Sequence, residues 1–157
     1  MTSIALCIIR PETLHEGRAR YFIDLKDKRI EVEIQDTRGK EMVDSLDPSY
    51  FKDADAAVIV FDLTALDSFY SVSRWNNDLN YADREISKLL IGNKADLETQ
   101  RMVSRAEAEE LAQQIGAIYF ETSIAIETLP FGRLQVRGGR GIFKALRILV
   151  EDLVTEK

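Results

Sequence analysis

Three short apolar runs, separated by amphipathic stretches, constrain this chain more than any other feature. Ala56-Ala57-Val58-Ile59-Val60-Phe61 contains no polar residue and is closed by Asp62. Leu89-Leu90-Ile91 and Ala117-Ile118-Tyr119-Phe120 repeat the pattern. A half-exposed strand alternates apolar and polar side chains. A strand apolar at every position reads as covered on both faces, as in the centre of a parallel sheet. Between the runs the period becomes helical. Phe69, Val72, Trp75 and Leu79 share one face of a helix predicted from about Ser68 to Asp83. Ser104-Arg105-Ala106-Glu107 is a capping box, and the helix it opens is predicted to stop at Gly116, a residue suited to the left-handed C-terminal position. A last helix is predicted from about Ile142 to Val154, with Ile142, Leu146, Leu149 and Leu153 inward. Near the start, Tyr21–Leu25 and Arg29–Gln35 read as paired strands around Lys26-Asp27-Lys28, the second alternating Ile30, Val32 and Ile34 against Glu31, Glu33 and Gln35. No internal repeat is evident. Strand and helix alternate, which predicts an α/β fold: a doubly wound, largely parallel sheet of about six strands. The length, 157 residues, suits a single domain over 1–157.

Composition narrows the function classes. Lys and Arg number 21 against 27 Asp and Glu, a net charge of −6. An acidic surface is a poor footprint for nucleic acid, which calls for clustered positive charge, so no nucleic-acid partner is expected. The one cysteine, Cys7, cannot form an intramolecular disulfide and fits a reducing compartment. The longest apolar runs, Ile4–Ile9 and Ala56–Phe61, fall well short of the roughly 20 residues that span a bilayer. Met1-Thr2-Ser3 has no basic region of a signal peptide, Thr2 cannot be myristoylated, and Val154-Thr155-Glu156-Lys157 carries no cysteine to prenylate. These features predict a cytoplasmic chain with no lipid anchor of its own, peripheral at membranes only through partners. His15, the only histidine, has no cysteine cluster beside it, and one histidine with one cysteine assembles neither a zinc site nor a hydrolytic triad.

In doubly wound folds, ligands sit beyond the carboxyl ends of the strands. Three strand ends here carry polar clusters. The strand ending at Gln35 runs into Asp36-Thr37-Arg38-Gly39-Lys40-Glu41. The strand ending at Ile91 runs into Gly92-Asn93-Lys94-Ala95-Asp96, and Ala117–Phe120 runs into Glu121-Thr122-Ser123. Any one of them is ordinary loop chemistry. All three, in this order and at these places, form a constellation.

That constellation resembles the small GTPases of the Ras superfamily, most nearly the Rab branch. Asp36-Thr37-Arg38-Gly39-Lys40-Glu41 is similar to the family's Asp-Thr-Ala-Gly-Gln-Glu, Asn93-Lys94-Ala95-Asp96 matches Asn-Lys-x-Asp, and Glu121-Thr122-Ser123-Ile124 resembles Glu-Thr-Ser-Ala. Ser49-Tyr50-Phe51-Lys52 and Val60-Phe61-Asp62-Leu63-Thr64 are similar to Rab segments as well. The resemblance runs from roughly Thr13 to Ser123 and resumes in the last helix. It implies a small G-domain that binds GTP or GDP with Mg²⁺ and meets protein effectors or regulators through switch-like regions near Thr13–Ile23 and Lys40–Phe51. Guanine would be read by Asn93, Lys94, Asp96, Ser123 and Ile124. A carboxylate such as Asp96 accepts from both the ring N–H and the exocyclic amine of guanine, and adenine lacks that pair of donors. Thr13 and Asp36 would serve Mg²⁺, and the Gly39 amide a terminal phosphate.

The chain departs from the pattern at the phosphates. A phosphate-binding loop reads Gly-x-x-x-x-Gly-Lys-Ser/Thr after the first strand, and no such motif occurs in these 157 residues. Thr13 lies 23 residues before Asp36, the family spacing, yet 12 residues precede it where the family has roughly thirty. Ile4–Ile9 can take the first strand's slot, while the loop and helix that should follow do not fit, so the expectation is a G-domain truncated at its N-terminus. Lys40 stands at the family's water-orienting glutamine, and a protonated lysine is a poor base, so no catalytic residue is assigned. Ile126–Arg140 holds an insertion of about nine residues. It reads as a flexible basic segment, with Gly138-Gly139-Arg140-Gly141 as an anion nest the alternative.

Three readings follow. The chain is a Rab-like guanine-nucleotide switch in vesicle trafficking with impaired hydrolysis. Or it is a pseudo-GTPase, an interaction module with weak or no nucleotide binding. Or it is the product of an alternative transcript or mis-spliced gene model. The residues lean towards weak or absent nucleotide binding and negligible hydrolysis.

Overall fold

The computed structural model describes residues 2–9, 18–26, 28–36, 51, 54–80, 82, 85–123, 126–128, 134–136 and 141–155. The apolar runs become the middle of a six-stranded sheet. In chain order its strands are β1 (Thr2–Ile9), β2 (Arg18–Leu25), β3 (Lys28–Asp36), β4 (Ala56–Asp62), β5 (Ser87–Asn93) and β6 (Ala117–Glu121). In space the order is β2-β3-β1-β4-β5-β6. Every pairing is parallel except β2 with β3, so the largely parallel sheet expected from the runs is present. Three helices pack on it: α1 (Leu66–Leu79), α2 (Arg105–Ile115) and α3 (Ile142–Thr155). No helix among the described residues is long and apolar enough to cross a membrane.

The runs Ala56–Phe61 and Leu89–Ile91 lack polar residues because each face of the sheet carries its own core. Ala57, Ile59, Phe61 and Leu90 pack with Val72, Trp75 and Leu79 of α1 and Ala108 and Ala112 of α2. Ala56, Val58, Leu89 and Ile91 point the other way and pack with Ala145, Leu146, Leu149, Val150 and Leu153 of α3. Alternation along each strand therefore sorts one continuous apolar run into two layers. On β3, Ile30 and Val32 are buried, while Glu31 and Glu33 on the outer face pair with Arg20 across the hairpin. The β2–β3 turn is tight, Leu25 opposite Lys28, with Lys26 at φ 38°.

The ends of α2 follow from sequence. The Ser104 hydroxyl accepts from the Glu107 amide while the Glu107 carboxylate accepts from the Ser104 amide, and Gly116 closes the helix at φ 66°. Helix α1 runs two residues earlier than expected and stops sooner, at Asn80. Its start has no side-chain cap at Ala65. Instead the Ser68 hydroxyl donates to the carbonyl of Ala65 at 2.7 Å and accepts from the amide of Asp62 at 2.9 Å. Leu79 is its last buried residue, and Asp83, one turn on, has no apolar group to extend that face.

Within the span read as a flexible basic insertion, Ile126–Thr128 (β7) and Leu134–Val136 (β8) pair antiparallel as a small separate sheet. Each strand reads apolar-polar-apolar or ends on a β-branched residue, and local pairing satisfies backbone groups that a loop would leave to water. Residues 129–133 and 137–140, including the glycines weighed as an anion nest, lie outside the described residues, apart from Gly141.

Strand β1 settles a topological point. Residues Thr2–Ile8 lie opposite Ile30–Asp36 of β3, and Leu6–Ile9 lie opposite Ala56–Ile59 of β4. The first apolar run thus lies between β3 and β4. Because β2 is antiparallel, it begins at the sheet edge where β1 ends.

Candidate functional site

Parallel strands deliver their carboxyl ends to one edge. Here that edge carries, from β3 to β6, Asp36, Ile9, Asp62, Asn93 and Glu121. The register matches Asp62 with Asn93 and Gly92 with Glu121, so the last polar residues of β4, β5 and β6 form a row.

The loops beyond β5 and β6 are bound to each other. The amide of Thr122 donates to the carbonyl of Gly92 at 2.8 Å, and the amide of Ala95 donates to the carbonyl of Thr122 at 3.1 Å. The Thr122 hydroxyl donates to Asn93 Oδ1 at 3.3 Å. The Ser123 hydroxyl donates to Asp96 Oδ1 at 2.6 Å. Four of the residues singled out from sequence (Asn93, Lys94, Asp96 and Ser123) are therefore brought together. Asp96 and Lys94 are exposed and Asn93 is half-buried, so the carboxylate is open to a ligand. Asn93 is consumed in bracing: its carbonyl also accepts from the amide of Leu63 at 3.0 Å.

Gly92 explains itself by crowding. A Cβ there would meet Tyr119 Oη at 2.7 Å and Leu63 Cδ2 at 3.0 Å, so glycine lets β5 and β6 close under the loop. The Tyr119 hydroxyl donates to Glu121 Oε1 at 3.1 Å. Arg101 grips the same carboxylate with both terminal nitrogens, at 3.1 and 2.8 Å, and donates to the carbonyl of Val103. The Arg101 hydrogen bonds hold the Glu121 carboxyl below its usual range, outweighing its burial. Burial, with the Glu121 charge beside it, pushes the Tyr119 hydroxyl well up.

Beside this cluster, Lys94 Nζ lies 2.5 Å from Asp62 Oδ2. Asp62 Oδ1 accepts from the amide and hydroxyl of Thr64 at 2.8 and 2.7 Å. Burial raises the Asp62 carboxyl, but the hydrogen bonds from Lys94 and Thr64 outweigh it and bring it below its usual range.

The remaining candidates are placed less fully. Asp36 ends β3 opposite Ile8 of β1. Thr13, Gly39, Lys40 and Ile124, with Arg38 beside Lys40, lie outside the described residues. Among the described residues no group of three or more His, Cys, Asp or Glu side chains could hold a metal ion. The chemistry present is an exposed carboxylate, Asp96, on a braced loop, a group able to accept from paired N–H donors. The segment after β1, Arg-Pro-Glu-Thr-Leu-His-Glu-Gly, offers no glycine-lysine cradle for phosphates.

Sequence reading missed Arg101, Tyr119 and the pairing role of Asp62. Asp62 did leave a signal, since it closes an apolar run at the same edge as Asn93. Arg101 left none, because its partner is 20 positions away. A cavity of about 950 Å³ opens elsewhere, at the amino ends of β4, β5 and β6, lined by Asp55, Ser87, Lys88, Gly116, Leu149 and Asp152 among others. It lies at the wrong end of a parallel sheet for this ligand chemistry.

Comparison with known proteins agrees with the geometry. A family model described as the Ras family matches residues 10–128. The Ras-related protein Rab-2B of Dictyostelium discoideum is 43% identical over 102 residues, which is 64% of this chain and 50% of that protein. The Ras-related protein Rab-21 of the same organism is 38% identical over 112 residues, 71% of this chain and 53% of that protein. Human Rab-21 is 39% identical over 102 residues, 64% of this chain and 45% of that protein. The chain spans about half the length of the curated relatives it matches.

Proposed function

The chain belongs to the Ras family and is a Rab-like small GTPase relative, and from that premise we propose that it is an interaction module of vesicle trafficking whose grip on GTP or GDP is weak or absent and whose hydrolysis is negligible. One observation carries the reading. The loops at the ends of β5 and β6, to which we assign the base, are braced against each other, whereas the residues that follow β1 hold no phosphate-binding motif. Phosphate and Mg²⁺ contacts supply much of the affinity and nearly all the catalysis of such sites.

Within this proposal Asp96 accepts from the guanine edge, Ser123 and Asn93 hold its loop, and Lys94 and the Ile124 amide flank the base. Thr13 and Asp36 are assigned to Mg²⁺, and Gly39 to the terminal phosphate, in whatever nucleotide complex forms. Bound Mg²⁺ would supply charge neutralisation at the phosphates. Lys40 at the glutamine position accounts for the missing hydrolysis, since an ammonium cannot orient and deprotonate a water. The effector surface is assigned to Thr13–Ile23 and Lys40–Phe51, with partners placing the chain at membranes.

Titration of the purified chain with a fluorescent guanine nucleotide, with and without Mg²⁺, tests this. The expected result is no saturation at micromolar protein. Sub-micromolar, Mg²⁺-dependent binding would overturn it in favour of a nucleotide switch.

A further inference from the structure

We infer that the groove between α1 and α2 receives an arginine side chain from a partner protein, with the guanidinium laid on the Tyr70 ring and turned to the Glu110 carboxylate. The two helices lie on one face of the sheet and share a core with Ile59, Phe61 and Leu90. The residues assigned to guanine line no part of this groove, so the inference is independent of that assignment. Phe69 and Tyr70 come from α1, and Glu107, Glu110, Leu111 and Gln114 from α2. Residues three and four apart are neighbours on a helix, so Glu107, Glu110, Leu111 and Gln114 form one wall. The opening holds about 330 Å³, at the small end of ligand pockets, which run from about 300 to 1,000 Å³.

The floor is apolar and held by the core. Phe69 and Leu111 are half-buried against it, and Phe69 meets Phe61 with ring centroids 5.2 Å apart. Tyr70 beside Phe69 is 67% exposed. A ring left that open adds little to the core, whereas aromatic residues are enriched where proteins meet. The facing wall selects the charge, since Glu107 and Glu110 are both acidic. Hydrogen bonds with Ser104 hold the Glu107 carboxyl below its usual range. Glu110 accepts from Gln114 Nε2 at 3.4 Å, a long contact that a charged donor can displace. The cations of the two helices are engaged elsewhere: Arg105 Nε lies 2.7 Å from Glu109 Oε1, and the Arg74 guanidinium lies 5.3 Å from the Trp75 ring centroid. An incoming guanidinium meets all of these surfaces. Its face stacks on a phenol ring, its fork matches a carboxylate and its methylene stem covers an apolar floor. An ammonium is a point charge without that fork.

The unaltered chain is titrated with the peptide acetyl-Leu-Arg-Leu-amide, and with the same peptide carrying lysine or citrulline, each followed by two-dimensional NMR. Citrulline keeps the shape of arginine without its charge. Expected are saturable shifts centred on Tyr70, Glu110, Leu111 and Gln114, with arginine bound about two- to tenfold tighter than citrulline and lysine between them. Glu110→Gln and Tyr70→Leu, checked for fold by circular dichroism, should each weaken the arginine peptide about two- to fivefold and narrow its lead over citrulline. Glu110→Gln changes one exposed side chain, and it decides the matter if Tyr70→Leu does not fold. Equal binding of the arginine and citrulline peptides, shifts centred away from the groove, a lead that Glu110→Gln leaves unchanged, or no saturation with the arginine peptide would each overturn the inference. Self-association of the unaltered chain that the peptide reverses would give the groove to a second copy and overturn it as well.

Discussion

Gly92 shows how one missing atom organises the residues around it. A methyl group there would press on the Tyr119 hydroxyl, which is itself committed to Glu121. Gly92→Ala is expected to cost about 1–3 kcal/mol in urea unfolding, and Gly92→Ala with Tyr119→Phe less than the sum of the two changes. Glu121 gives a pH signature. Its folded carboxyl titrates below the ordinary 4.5, chiefly through Arg101, so its contribution is fully present above that pH and is lost as pH falls through the folded value. Unfolding free energy should therefore fall on acidification below about 4.5, with a shallower slope in Glu121→Gln; an unchanged slope would count against this role. Asn93, Asp96 and Ser123 were legible in sequence because their motifs are contiguous. Arg101 and Tyr119 were not, because a bidentate ion pair between the loop after β5 and strand β6 leaves no local pattern.

The elements differ in how far local chemistry specifies them. Helix α2 is closed at both ends by its own residues, with Ser104 and Glu107 at the start and Gly116 at the finish. Ser104→Ala is expected to cost about 1 kcal/mol, read as a lower urea midpoint at unchanged slope. Both partners of that cap lie within one turn, which is why the sequence announces it. Helix α1 begins instead on Asp62, Thr64 and Ser68, a network that depends on β4 being in place, and its boundaries were misjudged accordingly. The small sheet of β7 and β8 was missed for a related reason: strands of three residues are too short for a period to emerge from composition.

At the scale of the whole molecule, two cores share one sheet. The α3 side holds Leu149, fully buried against β4 and β5, and the other side holds Trp75, the only tryptophan. Leu149→Ala should cost about 2–5 kcal/mol. If the sheet couples the two cores, Trp75 fluorescence and far-ultraviolet circular dichroism should shift together; a transition that moves in one probe alone would show the layers to be separable. The amino-acid sequence by itself determined the α/β class, the two-faced burial of the central strands and the polar character of the loops at the ends of β5 and β6, since each depends on side-chain period or on neighbours a few positions apart. Only the tertiary structure decided that β1 lies between β3 and β4, that Lys94 turns to Asp62, and that Arg101 clamps Glu121. Strand order and ion pairing join residues distant along the chain, and which partners meet depends on the packing of the whole sheet.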